Sequence, residues 1–395
     1  MRHLNLLIST AFVSLMLLFA ISCKKESNNP SNTPNKPSTN KVSNYIEVQN
    51  SKLIDSPLPS NSSNEVLASV SGNSNVLRGG SNQFKISSLN GFKKVLIGIN
   101  DIKEHLELSA TNLLKDGGDT SDLYVPIAIN SNLPTNNFII KIAIVDEDGE
   151  YSNVQSISLN TIEKANIGNL QVSVSWDQEN DVDLHLILPD QRHIGYYETM
   201  KAIDPDDDDT IEDKLYEYLY ENASNYNEEL ELSKLIMDFY KNSEEGKKIL
   251  AFLDLDSNPI CLLDYFNNES IIFPGIVPSG EYKVNLDLFS NCGIAANTNY
   301  VITVRYLDQL ITTSVSSNPY SGYLVPADAN NPNDDGETIL TFNVNSNDIS
   351  VANQNTETEV NYILHAKYGN LSSSSNKPNF KSQFEVMRHK RAMMK

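Results

Sequence analysis

Cysteine is scarce: the 395 residues contain three, Cys23, Cys261 and Cys292, and none forms a Cys-x-x-Cys pair for zinc or redox chemistry. The six histidines show no His-Glu-x-x-His spacing, which argues against catalytic zinc. No Gly-x-Ser-x-Gly elbow is present, so a serine hydrolase of that type is not indicated. Basic residues are outnumbered, 30 Lys plus Arg against 51 Asp plus Glu. A net charge of −21 repels phosphate backbones, so nucleic acid is not an expected partner. Hydrophobic residues make up 39%, too few for a polytopic membrane protein and too many for a wholly disordered chain. The length leaves room for two or three domains.

What is present begins with an apolar run. Arg2 and His3 precede Leu4 to Ile21, a stretch interrupted by Asn5, Ser9, Thr10 and Ser14, which suits a signal-peptide core; a single-pass helix is the alternative. Ala20-Ile21-Ser22-Cys23 resembles the lipobox of bacterial lipoproteins, in which the cysteine thiol is diacylated before cleavage. The resemblance implies a signal peptide over residues 1–22 and a lipid anchor on Cys23, each acyl chain gaining ~0.8 kcal/mol per buried CH₂. Residues 23–44 are polar, with three prolines, and are expected to form an extended tether. Lys24-Lys25-Glu26 resembles the surface-export signals of Bacteroidota lipoproteins. The expected location is the outer membrane of a bacterial envelope, facing the periplasm or the outside.

Residues 45–164 show short runs of β type separated by Gly, Asn, Asp and Ser, with no long helical period. A mainly β fold with an antiparallel sandwich is expected. The clearest hairpin joins Phe138–Val145 to Tyr151–Leu159, with Phe138, Ile140, Ile142 and Ile144 on one face and Asp146 to Gly149 as the turn. It resembles the last strands of bacterial immunoglobulin-like domains.

A second unit, residues 168–345, repeats the alternation in Val172, Val174 and Trp176, then in Val182, Leu184, Leu186 and Leu188. The string VSWDQENDVDLHLILPDQRHIGYY, followed by LDLDSNPICLLDYFNNESIIFP, PSGEYKVNLDLFSNC and NYVITVRY, resembles the YfaP-like family of secreted bacterial domains of unknown function. This implies a second, immunoglobulin-like β-sandwich outside the cytoplasm. Gln191 stands where that family usually has a turn glycine, and a long insertion over residues 199–250 replaces a short loop. From Glu198 to Lys248 there are 16 acidic and 6 basic residues, a net of −10. Ile211, Leu215, Tyr218 and Leu219, then Leu232, Leu235, Ile236 and Phe239, repeat at helical spacing and predict two amphipathic helices that pack on each other or on the sandwich, or else dock a partner. Residues 346–395 read as a flexible tail.

Two candidate sites follow. With Cys23 acylated, Cys261 and Cys292 are the cysteines left in an oxidising compartment, so a disulfide between them is expected. Asp181 with Asp183, and Asp254 with Asp256, would share strand faces by alternation, and four carboxylates at one spot would suit calcium, with Asn180 and Asn258 nearby. Asp204 to Leu215 fails the EF-hand pattern, with Asp209 at position six and Leu215 at position twelve. No catalytic residue is assigned. The expected function is a non-enzymatic, membrane-anchored lipoprotein whose sandwiches bind a protein or glycan, stabilised by calcium. The alternatives are an envelope hydrolase using paired carboxylates and a purely structural spacer.

Overall fold

Alternation of apolar and polar residues builds the first sandwich from two facing sheets. In a computed structural model, the residues described are 41–60, 67–88, 91–115, 122–162, 168–196, 198–222, 232–329 and 335–345. The expected signal peptide, the Cys23 anchor, nearly all of the tether and the tail lie outside them. The strands are β1 (Ile46–Glu47), β2 (Lys52–Ile54), β3 (Leu67–Gly72), β4 (Asn75–Val76), β5 (Ser81–Ser88), β6 (Lys94–Ile99), β7 (His105–Ser109), β8 (Leu114–Lys115), β9 (Asp122–Ile129), β10 (Asn137–Val145) and β11 (Gln155–Thr161). One sheet runs β1-β9-β5-β3 with β8 on β9, and the other β2-β7-β6-β10-β11-β4. Pairing is antiparallel except between β4 and β11.

The predicted hairpin is there, with Phe138 opposite Leu159 and Ile142 opposite Gln155. Phe138, Ile140, Ile142 and Ile144 are all buried in the core. Its second strand starts at Gln155, later than expected, because Tyr151 makes only an isolated bridge to Val145. The boundary of the tether also moves. Val42 is fully buried in the first core and its N–H donates to Glu104 Oε1 at 2.6 Å, so the last residues assigned to the tether belong to the sandwich.

The second sandwich contains β12 (Leu170–Trp176), β13 (Asp181–Ile187), β14 (His193–Ile194), β15 (Met200–Ala202), β16 (Ile249–Leu255), β17 (Asn268–Phe273), β18 (Gly280–Ser290), β19 (Thr298–Tyr306), β20 (Gln309–Leu310), β21 (Tyr320–Leu324) and β22 (Glu337–Val344). A sheet ordered β15-β16-β17-β12-β19-β20, with β21 also on β19, faces a sheet ordered β14-β13-β18-β22. Between them lie Trp176, Leu184, Phe273, Tyr282 and Phe342, with the Tyr282 and Phe342 rings stacked at 5.0 Å. The fold is therefore mainly β and built from antiparallel sandwiches, as the period-two patterning implies.

The insertion folds into α1 (Asp208–Asn222) and α2 (Leu232–Asn242). Ile211, Leu215 and Leu219 of the first meet Leu235, Ile236 and Phe239 of the second, and both pack on Phe252 and Ile272 of the larger sheet. Among the described residues, the two helices therefore pack on each other and on the sandwich. Helix α1 begins two residues before Thr210, with Asp208 accepting from the Ala202 N–H at 2.6 Å and from Arg192 at 3.0 Å.

The two sandwiches share one compact unit, joined where strand β5 approaches β12 and β19. Here Gly79 has φ 74°, left-handed backbone that suits glycine, and the Gln171 side chain and Ser173 hydroxyl lie against Gly79 and Gly80. Through this joint runs Arg305, 3% exposed. Its guanidinium donates to Gly79 O at 3.0 Å, Ile129 O at 3.2 Å and Asp308 O at 2.9 Å, and pairs with Glu47 at 2.9 Å. Arg305→Ala would leave buried carbonyls unsatisfied and is expected to cost about 3 kcal/mol or more. Calorimetry checks this: a single cooperative transition should fall by several degrees or split, and an unchanged melting temperature would show that the joint contributes nothing.

Candidate metal centre

Strand β13 turns Val182, Leu184 and Leu186 into the core, so Asp181, Asp183 and His185 take its other face. That face would ordinarily be wet, yet all three are 0% exposed. The segment after β16 and the residues around β14 cover it. In the first of these, Asn258 (φ 59°), Ile260 (φ 48°) and Cys261 (φ 62°) adopt left-handed backbone, which costs side-chain-bearing residues of order 1 kcal/mol or more each. What holds the loop is local. Asn258 donates to Asn180 O at 3.0 Å and accepts from the Asp264 N–H at 3.0 Å, and the Ile260 N–H donates to Asp181 Oδ2 at 2.6 Å. The disulfide joins Cys261 to Cys292, Cα atoms 5.5 Å apart, just beyond the end of β18.

Asp256, directly after β16 and ahead of this loop, meets β13. Carboxylate oxygens of Asp181, Asp183 and Asp256 lie within 4.8 Å of one another. Two oxygens on opposite sides of a calcium ion stand about 4.6 to 5.2 Å apart, so the spacing fits a single ion of that size. The donors are all hard oxygens, which suit calcium or magnesium over softer metals. Asp254 stands outside the group, a correction to the expected set of four. Strand β16 carries a bulge between Leu253 and Leu255, which breaks the alternation that would put Asp254 and Asp256 on one face. Asp254 instead accepts from Ser270 Oγ at 3.3 Å.

Two acidic neighbours escaped the sequence reading. Asp287 on β18 sits directly opposite Asp183 and is 6% exposed. The alternation of Asn285 and Asp287 with Val284, Leu286 and Leu288 was a usable signal for it. Glu269, 1% exposed on β17, reaches across to accept from the Leu184 N–H at 2.6 Å. A lone acid in an apolar strand gave no hint of that bond. Beyond Asp183, His185 stacks on His193, with Nδ1 and Nε2 2.9 Å apart. Burial holds the His193 imidazole below its ordinary range, with Asp335 3.6 Å away opposing the shift.

Gln191, in the turn between β13 and β14, has φ 71°. That explains why a glycine would be at ease there. Compared with known proteins, the chain matches no family model and no curated protein.

Proposed function

We propose that this chain is a bacterial cell-envelope lipoprotein, held at the outer membrane by acylated Cys23, which displays two joined β-sandwiches as a calcium-stabilised module binding a protein or glycan. The observation that carries the reading is the gathering of Asp181, Asp183 and Asp256 at one end of the second sandwich, two of them fully buried. Buried like charges repel, and a bound cation would offset that repulsion. Calcium modules outside cells work at about 10⁻⁴ to 10⁻³ M, a concentration the cytoplasm does not offer. Oxygen donors, a β-sandwich end and a disulfide all suit that compartment. Burial of the carboxylates weighs against the alternative of a hydrolase that uses them on a polymer.

The anchor is tested separately. In Cys23→Ser, incorporation of a fatty-acid analogue is expected to vanish, and the protein should leave the membrane fraction. Retained label and retained membrane association would overturn the lipoprotein reading.

A further inference from the structure

Beside the joint of the two sandwiches, and apart from the aspartate cluster, opens a cleft of about 880 Å³. Its size is that of a small-molecule or oligosaccharide site. Both sandwiches wall it: Asn75 and Gln83 from the first, Asn267, Asn299, Tyr265 and Tyr323 from the second. The lining is unusual in two respects. Amide side chains dominate, and each amide offers donors and acceptors together, as a hydroxyl group does. Two tyrosines stand open to solvent at its edge, Tyr265 at 47% and Tyr323 at 63%. Exposed aromatic rings with a polar tip supply rigid, amphipathic contact area at small entropic cost.

Part of the wall is buried. Gln83 is 9% exposed, and its Oε1 has no hydrogen-bond partner among the described residues. That oxygen is closed to solvent, so a ligand would meet Gln83 through the part of its side chain that lines the cleft. Charge narrows the class. Asp177 and Glu179 line the cleft, while Lys85 is tied to Asp122 at 2.8 Å. An anionic ligand would meet two carboxylates and one cation already engaged. An apolar peptide would need hydrophobic pockets, and the lining supplies amides instead.

We infer that this cleft binds a neutral oligosaccharide, with sugar rings against Tyr265 and Tyr323 and hydroxyls on the amides. The inference rests on the reading of the chain as a displayed binding module and names its ligand class. The full chain, in a detergent without a sugar headgroup, is applied to an immobilised array of neutral glycans and to a peptide array. Retained glycans are then titrated by calorimetry, while the emission of Trp176, the one tryptophan of the chain and part of the cleft wall, reports the place of binding. At least one neutral glycan should bind and alter that emission. Tyr323→Ala and Tyr265→Ala should each weaken it by about tenfold, with Tyr323→Phe close to wild type and melting temperatures unchanged. Capture of peptides alone, capture of no neutral glycan, or glycan affinity indifferent to both alanine variants would overturn the inference. Failure of the display reading is read elsewhere, in the fractionation of Cys23→Ser, so the two outcomes are separable.

Discussion

Reducing the Cys261–Cys292 disulfide, or replacing Cys292 by serine, is expected to destabilise the protein by about 3 to 4 kcal/mol. The bridge spans a sequence separation of 31 residues. In the chain-entropy account, closing a loop of that length removes about this much freedom from the unfolded state. For a protein of this size the melting temperature should fall by roughly 6 to 15 °C. There is a second, more local consequence. Cys261 follows Ile260, whose N–H donates to Asp181, and the left-handed backbone there has to be held against strain. Losing the bridge should therefore weaken ion binding as well as stability. A reduced protein with unchanged melting temperature would show that the loop is held by its hydrogen bonds alone.

Calcium should raise the melting temperature of the chelated protein by roughly 5 to 10 °C at about a hundredfold excess over the dissociation constant, which is about 2.7 kcal/mol of stabilisation. Asp183→Asn should abolish the rise. Asp183 is the natural target because it belongs to the group of three and also faces Asp287 across the sheet. The same substitution should have the opposite sign in chelator. Without a cation, removing one charge relieves repulsion, so the variant should melt at or above the chelated wild type. Asp254→Asn is the control, and the calcium-dependent rise should survive it, since Asp254 lies outside the group. Loss of the rise in Asp254→Asn and not in Asp183→Asn would mean the ligands are misassigned.

Much of this architecture was legible as periodicity. The Phe138–Val145 strand announces itself by four apolar residues at spacing two, and the helix pair by Ile211, Leu215 and Leu219 at spacing three to four. Asp183 was legible for the same reason, because β13 is regular between Val182 and Ile187. What failed were the places where the backbone departs from its period. The bulge at Asp254 is invisible in a string of letters, as are the left-handed residues Asn258, Ile260 and Cys261 of the loop that bonds Asp181. Long-range polar contacts were equally hidden. Nothing near Arg305 signals a partner at Glu47, 258 residues away.

Occupancy of the aspartate cluster is measured most directly by calorimetric titration of calcium into chelator-stripped protein. Wild type should bind one ion per chain, with a dissociation constant of about 10⁻⁴ to 10⁻³ M, and Asp183→Asn should give no heat of binding over the same range. Binding of equal affinity in wild type and Asp183→Asn, or no heat from wild type at about ten times that concentration, would contradict a calcium centre at Asp181, Asp183 and Asp256.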